Sequence, residues 1–128
     1  MKKIAVILSI LLISGCADMA QTREPANKTT LHLDEDYQAA YRIITKSILN
    51  ECLYLPNTIQ TTLFQDIESA TISQSESGVT FWSMDIKKTG DKTSDMEFYT
   101  TFNAQKNRAY RAQKHINLKK SGCVFDDI

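Results

Sequence analysis

The sequence predicts an α+β fold: an N-terminal helix, about four antiparallel strands in one sheet, and a C-terminal helix. Three observations carry this. Apolar residues at Tyr37, Ala40, Tyr41, Ile44, Ile48 and Cys52 recur by threes and fours, the spacing of one helix face. Beyond Pro56 the period changes from helical to two, in runs rich in threonine, isoleucine, valine and aromatics. From Ala104 onward the composition returns to good helix formers.

Taken in order, the chain opens with Lys2 and Lys3, an apolar block from Ile4 to Ile13, and Ser14-Gly15-Cys16. A charged start, a short apolar run and small residues make a signal peptide over residues 1–15. The block is about ten residues long, against roughly 20 for a helix that spans a bilayer, so a permanent transmembrane span is not expected. Ile13-Ser14-Gly15-Cys16 resembles a bacterial lipobox. The resemblance implies that the Cys16 sulfur is diacylglycerylated and that cleavage leaves Cys16 as the first mature residue. It also implies three acyl chains in all; two already suffice for stable anchoring, at about 0.8 kcal/mol per buried methylene. The competing reading is ordinary cleavage after a later alanine, giving a soluble secreted protein, and it leaves a cysteine directly after Ser-Gly unexplained. In lipoprotein sorting of the enterobacterial kind, an aspartate directly after the lipidated cysteine retains the protein in the inner membrane. Ala17 holds that position, which favours the outer membrane, facing the periplasm.

Removal of residues 1–15 leaves 113, the size of one domain. The 15 basic and 15 acidic side chains become 13 against 15 once Lys2 and Lys3 are lost, a net charge of −2. Overall attraction to nucleic acid is therefore not expected. With Cys16 given to lipid, the remaining cysteines are the pair Cys52 and Cys123. An oxidising compartment joins them, closing a loop of about 70 residues whose entropy stabilises the fold by around 4 kcal/mol. A redox or metal pair would need closer spacing or further ligands.

Residues 16–33 are polar, non-periodic and interrupted by Pro25, and they read as a lipid-anchored tether with a span of roughly 20 to 25 Å, leaving residues 34–128 as a single small domain. Asp34-Glu35-Asp36 supplies an N-cap and acidic groups for the positive end of a helix dipole. The helix that follows carries the Tyr37–Cys52 stripe, read as core, and stops at Pro56 and Asn57. Strands are predicted over 58–64, 70–74, 79–88 and 96–103, with turns at Gly78 and Gly90. Trp82, Met84 and Ile86 share one face of the third, and Met96, Phe98 and Phe102 one face of the fourth; Phe81 and Tyr99 fall on the opposite face. A second helix is predicted over 104–120, with Ala109, Tyr110, Ala112, Ile116 and Leu118 as its thin apolar side. Lys106, Arg108, Arg111, Lys114, Lys119 and Lys120 make it the one strongly basic stretch, a solvated face or, through the first four, a contact for anionic lipid, lipopolysaccharide phosphate or peptidoglycan carboxylate.

The lipobox, Tyr37-x-x-x-Tyr41-Arg42 leading to Cys52, the run Leu63-x-x-Asp66-Ile67-x-x-Ala70-x-Ile72, and Gly122-Cys123 near the end are similar to small proteobacterial envelope lipoproteins of unassigned function. The resemblance spans most of the mature chain and implies location and architecture, without catalytic residues. His32 and His115 are the two histidines, one in the stretch read as tether and one among lysines and arginines. No Ser/His/Asp arrangement, His-x-x-x-His pair, Cys-x-x-Cys pair or glycine-rich phosphate loop occurs. Asp126-Asp127 reads as a tail. The expectation is a non-enzyme with no cofactor and no metal. Two roles fit: a structural or accessory lipoprotein that binds another envelope component, or a protective binder of a foreign protein, such as an immunity, exclusion or lysozyme-inhibitor lipoprotein.

Overall fold

The computed structural model describes residues 18–52 and 56–125. Along them run α1 (Met19–Thr22), a 3-10 turn (Pro25–Asn27), β1 (Lys28–Leu33) and α2 (Tyr37–Lys46), which continues as a π-helical turn over Ser47–Glu51. Then come β2 (Ile59–Phe64), β3 (Ser69–Glu76), β4 (Val79–Gly90), β5 (Thr93–Tyr99) and α3 (Asn107–Asn117). All strands pair antiparallel in one sheet of order β1-β5-β4-β3-β2. The fold is thus the expected α+β class with five strands rather than four.

The fifth strand corrects the reading of residues 16–33 as a tether. Lys28–Leu33 pairs with β5 in the register Thr29 with Phe98, Leu31 with Met96 and Leu33 with Ser94. This places Leu31 and Leu33 on the apolar face, where Leu33 is fully buried, while Lys28, Thr30 and His32 are exposed. The outer edge of β1 is bound to α3, since Gln113 Nε2 donates to the His32 carbonyl at 2.9 Å and the Asp34 amide donates to Asn117 Oδ1 at 2.8 Å. Within the described residues the domain therefore starts at Asp18. The predicted signal peptide and Cys16 lie outside the described residues, as does Asp126-Asp127.

The acidic triplet does cap α2: Asp36 accepts from the amides of Gln38 at 2.8 Å and Ala39 at 3.0 Å, closing donors that a helix start leaves open. Tyr37, Ala40, Ile44 and Ile48 are buried, with Tyr41 packed beside them. They face Ala70, Ile72, Trp82, Met84, Ile86, Met96 and Phe98, the apolar side of the sheet. Trp82 stacks on Phe98 with ring centroids 5.5 Å apart and meets the edge of Phe125 at 5.6 Å. Its indole N–H donates to Gln74 Oε1 at 2.8 Å, so the largest core side chain leaves no polar atom unpaired.

Turns account for the strand limits. Ser77 and Gly78 both have positive φ, 53° and 81°, as a two-residue hairpin of primed type requires. At Gly90 the constraint is space, because a Cβ would lie 2.7 Å from Thr93 Oγ1. β5 ends at Tyr99, short of the predicted limit, because Thr100 takes over the backbone bonds: its hydroxyl donates to the Phe81 carbonyl at 2.7 Å and accepts from the Phe102 amide at 3.1 Å. Phe102 is thereby turned off the apolar face and packs on Phe81 at 6.0 Å.

α3 is shorter than predicted and buries Ala109, Ala112, His115 and Ile116. Tyr110 and Leu118 are exposed, so the apolar side is built on two alanines that permit close approach and on a histidine. Cys52 and Cys123 form the expected disulfide, joining positions 71 apart and tying the end of the first helical segment to the chain just after α3. Ser47 reinforces the junction by donating to the Gly122 carbonyl at 2.8 Å and accepting from the Val124 amide at 2.7 Å. Replacing both cysteines by serine removes about 4 kcal/mol on the loop-entropy account. At about 4–8 °C per kcal/mol, the melting temperature is expected to fall by on the order of 20 °C. Thermal unfolding followed by circular dichroism checks this; a fall of only a few degrees would show that the closed loop contributes little.

Candidate functional site

Helices α2 and α3 cover one face of the sheet, and the residues that alternate with the core point to the other. Register places Tyr99, Ser83 and Ser73 in one row across β5, β4 and β3, then Glu97, Asp85 and Thr71, then Asp95, Lys87 and Ser69. The middle row sets two carboxylates, Glu97 and Asp85, directly opposite each other. Like charges in that position repel, so each needs a cation of its own.

For Glu97 it is Lys87, whose Nζ lies 2.9 Å from Oε2. The Tyr99 hydroxyl donates to the same oxygen at 3.2 Å. Burial alone would push the Glu97 carboxyl up, but the bond and charge of Lys87, with the bond from Tyr99, outweigh it and hold the group below its ordinary value. Lys87 is raised in turn, chiefly by its hydrogen bond to Glu97. Tyr99 is raised by burial and by the Glu97 charge.

For Asp85 the cation comes from a distant part of the chain. Arg23, just after α1, pairs with Asp85 Oδ2 through Nη2 and donates through Nη1 to Ser83 Oγ at 2.7 Å. Its guanidinium lies over the Tyr99 ring, 4.7 Å from the centroid. Thr71 Oγ1 donates to the other Asp85 oxygen at 2.8 Å. Burial lowers the Arg23 pKa and the pairing with Asp85 more than reverses this, so the net direction is upward. α1 is kept in shape by a capping box, with the Gln21 amide on Asp18 Oδ1 at 2.8 Å and the Asp18 amide on Gln21 Oε1 at 3.3 Å. Asn27 Nδ2 donates to the Gln21 carbonyl at 2.9 Å, and the Thr100 amide donates to the Asn27 carbonyl at 3.2 Å. Residues 18–27 thus form a short strap that covers Ser83, Asp85 and Tyr99.

Glu97, Lys87, Tyr99 and Arg23 are all moved away from neutrality, each holding the charge state it would have in water. Proton transfer near neutral pH needs the reverse, a group brought toward pH 7. The arrangement suits fastening and recognition. Toward the β2 edge the same face continues into Gln60, Thr62 and Phe64, all exposed, with Ile67 exposed beyond them.

Of the residues singled out in the basic stretch, Lys106, Arg111 and Lys114 are exposed and Arg108 is half-buried. Arg108 donates to Gln74 Oε1 at 2.8 Å and covers the Phe125 ring at 4.6 Å, and Arg111 Nη1 reaches the Phe125 carbonyl at 3.5 Å. Arg108 and Arg111 therefore hold the C-terminal segment over Trp82. Among the described residues, no three His, Cys, Asp or Glu side chains come together as metal ligands, and no helix is long and apolar enough to cross a membrane.

No family model matches the chain, and no curated protein matches it. The site's residues are therefore read from geometry alone. The polar side of the sheet was legible only as alternation; Arg23 carried no signal, since its partner is 62 positions away.

Two outcomes test the network. Arg23→Ala leaves Asp85 buried beside Glu97 without its cation; with hydrogen bonds to charged groups worth about 1.5–3 kcal/mol and Arg23 partly exposed, a loss near the low end of that range is expected. The double variant Arg23→Ala/Asp85→Asn should be less destabilised than Arg23→Ala alone, and equal or greater destabilisation in urea melts would contradict the pairing. Glu97 has a depressed folded-state pKa, so its contribution is present above the ordinary value of 4.5 and is lost as pH falls through the folded-state value. Glu97→Gln should flatten that acid limb of a stability-against-pH curve.

Proposed function

We propose that this chain is an exported lipoprotein, anchored in the cell envelope through lipid on Cys16, with a structural or accessory binding role and no catalytic one. The observation that carries the reading is the disposition of the cysteines. Cys52 and Cys123 are bonded to each other in the fold, which suits an oxidising compartment and leaves Cys16, directly after Ile13-Ser14-Gly15, as the odd thiol. The outer membrane, on its periplasmic side, is the location favoured by Ala17 after Cys16.

The strap changes how such an anchor would work. Only Ala17 separates Cys16 from Asp18, and two residue steps reach at most about 7 Å. The domain would sit against its membrane on the strap side of the sheet, in place of hanging from a chain of 20 Å or more. The partner proposed is another envelope component, protein or peptidoglycan, recognised through the uncovered part of that sheet face near Gln60, Thr62 and Phe64. The basic helix is the weaker contact, since Arg108 is engaged with Gln74 and Phe125.

Mass spectrometry of the mature N-terminus tests the anchor. A peptide beginning at acylated Cys16 is expected, and Cys16→Ser should move the protein out of the membrane fraction. An unmodified N-terminus at another position would refute the anchor and the location together.

A further inference from the structure

Between the π-helical end of α2 and the turn after α3 lies a cavity of about 230 Å³, lined by Ile43, Lys46, Ser47, Glu51, His115, Lys119, Lys120 and Ser121. It is separate from the strap and the charged rows, which lie across the sheet. Three of its lining residues are lysines and one is an acid. Lys119 is committed to Glu35 at 3.1 Å. Lys46 and Lys120 form no ion pair among the described residues.

His115 is the unusual member. Only 5% of it is exposed, and its ring nitrogens have no hydrogen-bond partner among the described residues but are not sealed off, so the ring edge opens to the cavity. Ser47, the buried hydroxyl on the opposite wall, is already satisfied by Gly122 and Val124. The backbone at the end of α3 is satisfied as well: the Lys119 amide donates to the Ile116 carbonyl at 3.1 Å and the Lys120 amide to the His115 carbonyl at 3.0 Å. These bonds use the carbonyls that would otherwise present the negative end of the helix to the cavity. What remains open is an imidazole, the side chains of Lys46 and Lys120, and the Glu51 carboxylate, so the lining keeps a net positive charge.

We propose that this cavity binds a phosphate-type oxyanion, with His115, Lys46 and Lys120 as its donors. Several acceptor oxygens on a small, compact anion match the donor-bearing side chains that line the cavity from α2, α3 and the turn after α3. The volume is below the roughly 300 Å³ at which pockets for drug-sized ligands begin, so the cavity fits a single oxyanion group, free or at the end of a larger molecule. The charged groups facing His115 are Lys46 from α2, Glu51 from the π-helical turn, and Lys119 and Lys120 from beyond α3. Burial lowers the His115 pKa; Glu51 opposes that and Lys120 adds to it. A bound anion favours the imidazolium, so affinity rises as pH falls through the histidine range. The inference concerns the folded domain and stands independently of the lipid anchor.

The test is a titration of the full chain with inorganic phosphate at low ionic strength, followed through the His115 ring resonances. A saturable shift is expected, and with sulfate, whose charge is constant over this range, it should be tighter at pH 6 than at pH 8. Lys46→Gln/Lys120→Gln should weaken it at least tenfold; both lysines are exposed, so the core is left intact. Lys106→Gln/Lys114→Gln removes the same charge elsewhere and should leave the midpoint within about twofold. No saturable shift at His115, or equal weakening by both double variants, would overturn the site. Vesicles of phosphatidylglycerol, compared with phosphatidylcholine, identify the source: a His115 response to the anionic vesicles supports a lipid headgroup as ligand, and a response to inorganic phosphate alone supports a free or solubly borne phosphate.

Discussion

Asp85 is buried in the middle of a sheet face, opposite Glu97, and Arg23 supplies the cation that makes this tolerable. Removing two charges from water is expensive, and a pair repays it only when the remaining lone pairs and donors are also used. Here they are used: Ser83 accepts from the guanidinium, Thr71 donates to the carboxylate, and Tyr99 lies under the cation. The pair reaches from a four-residue helix at the start of the described chain to the middle of β4, so it decides whether the N-terminal segment belongs to the domain. Once that segment is fixed, the chain enters β1 beside β5 and closes what would otherwise be an open sheet edge.

Two ties hold the two sides of the molecule. On the strap side the tie is electrostatic, between a partly exposed Arg23 and the buried Asp85. On the helix side it is covalent, at Cys52–Cys123, with Ser47 bonded to the backbone on both sides of the bridge. Between them lies an apolar layer in which α2 and the alanines of α3 pack on Trp82, Met84, Ile86, Met96 and Phe98. The consequence for function is a division of surfaces. The strap lies on one side of the sheet, whereas the cavity at His115 opens among the helix ends on the other.

Helix α2 was legible because a six-residue apolar stripe and an acidic cap agree, and strands β2 to β5 because their alternation is marked by Gly78 and Gly90. β1 was missed although Thr29, Leu31 and Leu33 do alternate with Lys28, Thr30 and His32. Two leucines in six residues, following a proline, make a weak signal, and the pairing that fixes it lies in β5. Phe102 was misplaced because a threonine hydroxyl, not a glycine or proline, ends the strand. In the basic stretch, sequence shows that Arg108 and Arg111 carry charge, and the packing of Phe125 shows which contacts they make. The candidate sites were least legible of all, since Arg23 with Asp85 and His115 with Lys46 join residues far apart in the chain.

The account's central claim is that residues 18–33 are part of the folded domain. Native-state amide exchange measures this most directly. The amides of Lys28–Leu33 that face β5 should be protected nearly as well as those of β5 itself, and Arg23→Ala should lower the protection of α1 first. Exchange of residues 18–33 at the rate of an unstructured peptide, with the rest of the sheet protected, would show that this stretch is a free tether and would contradict the account.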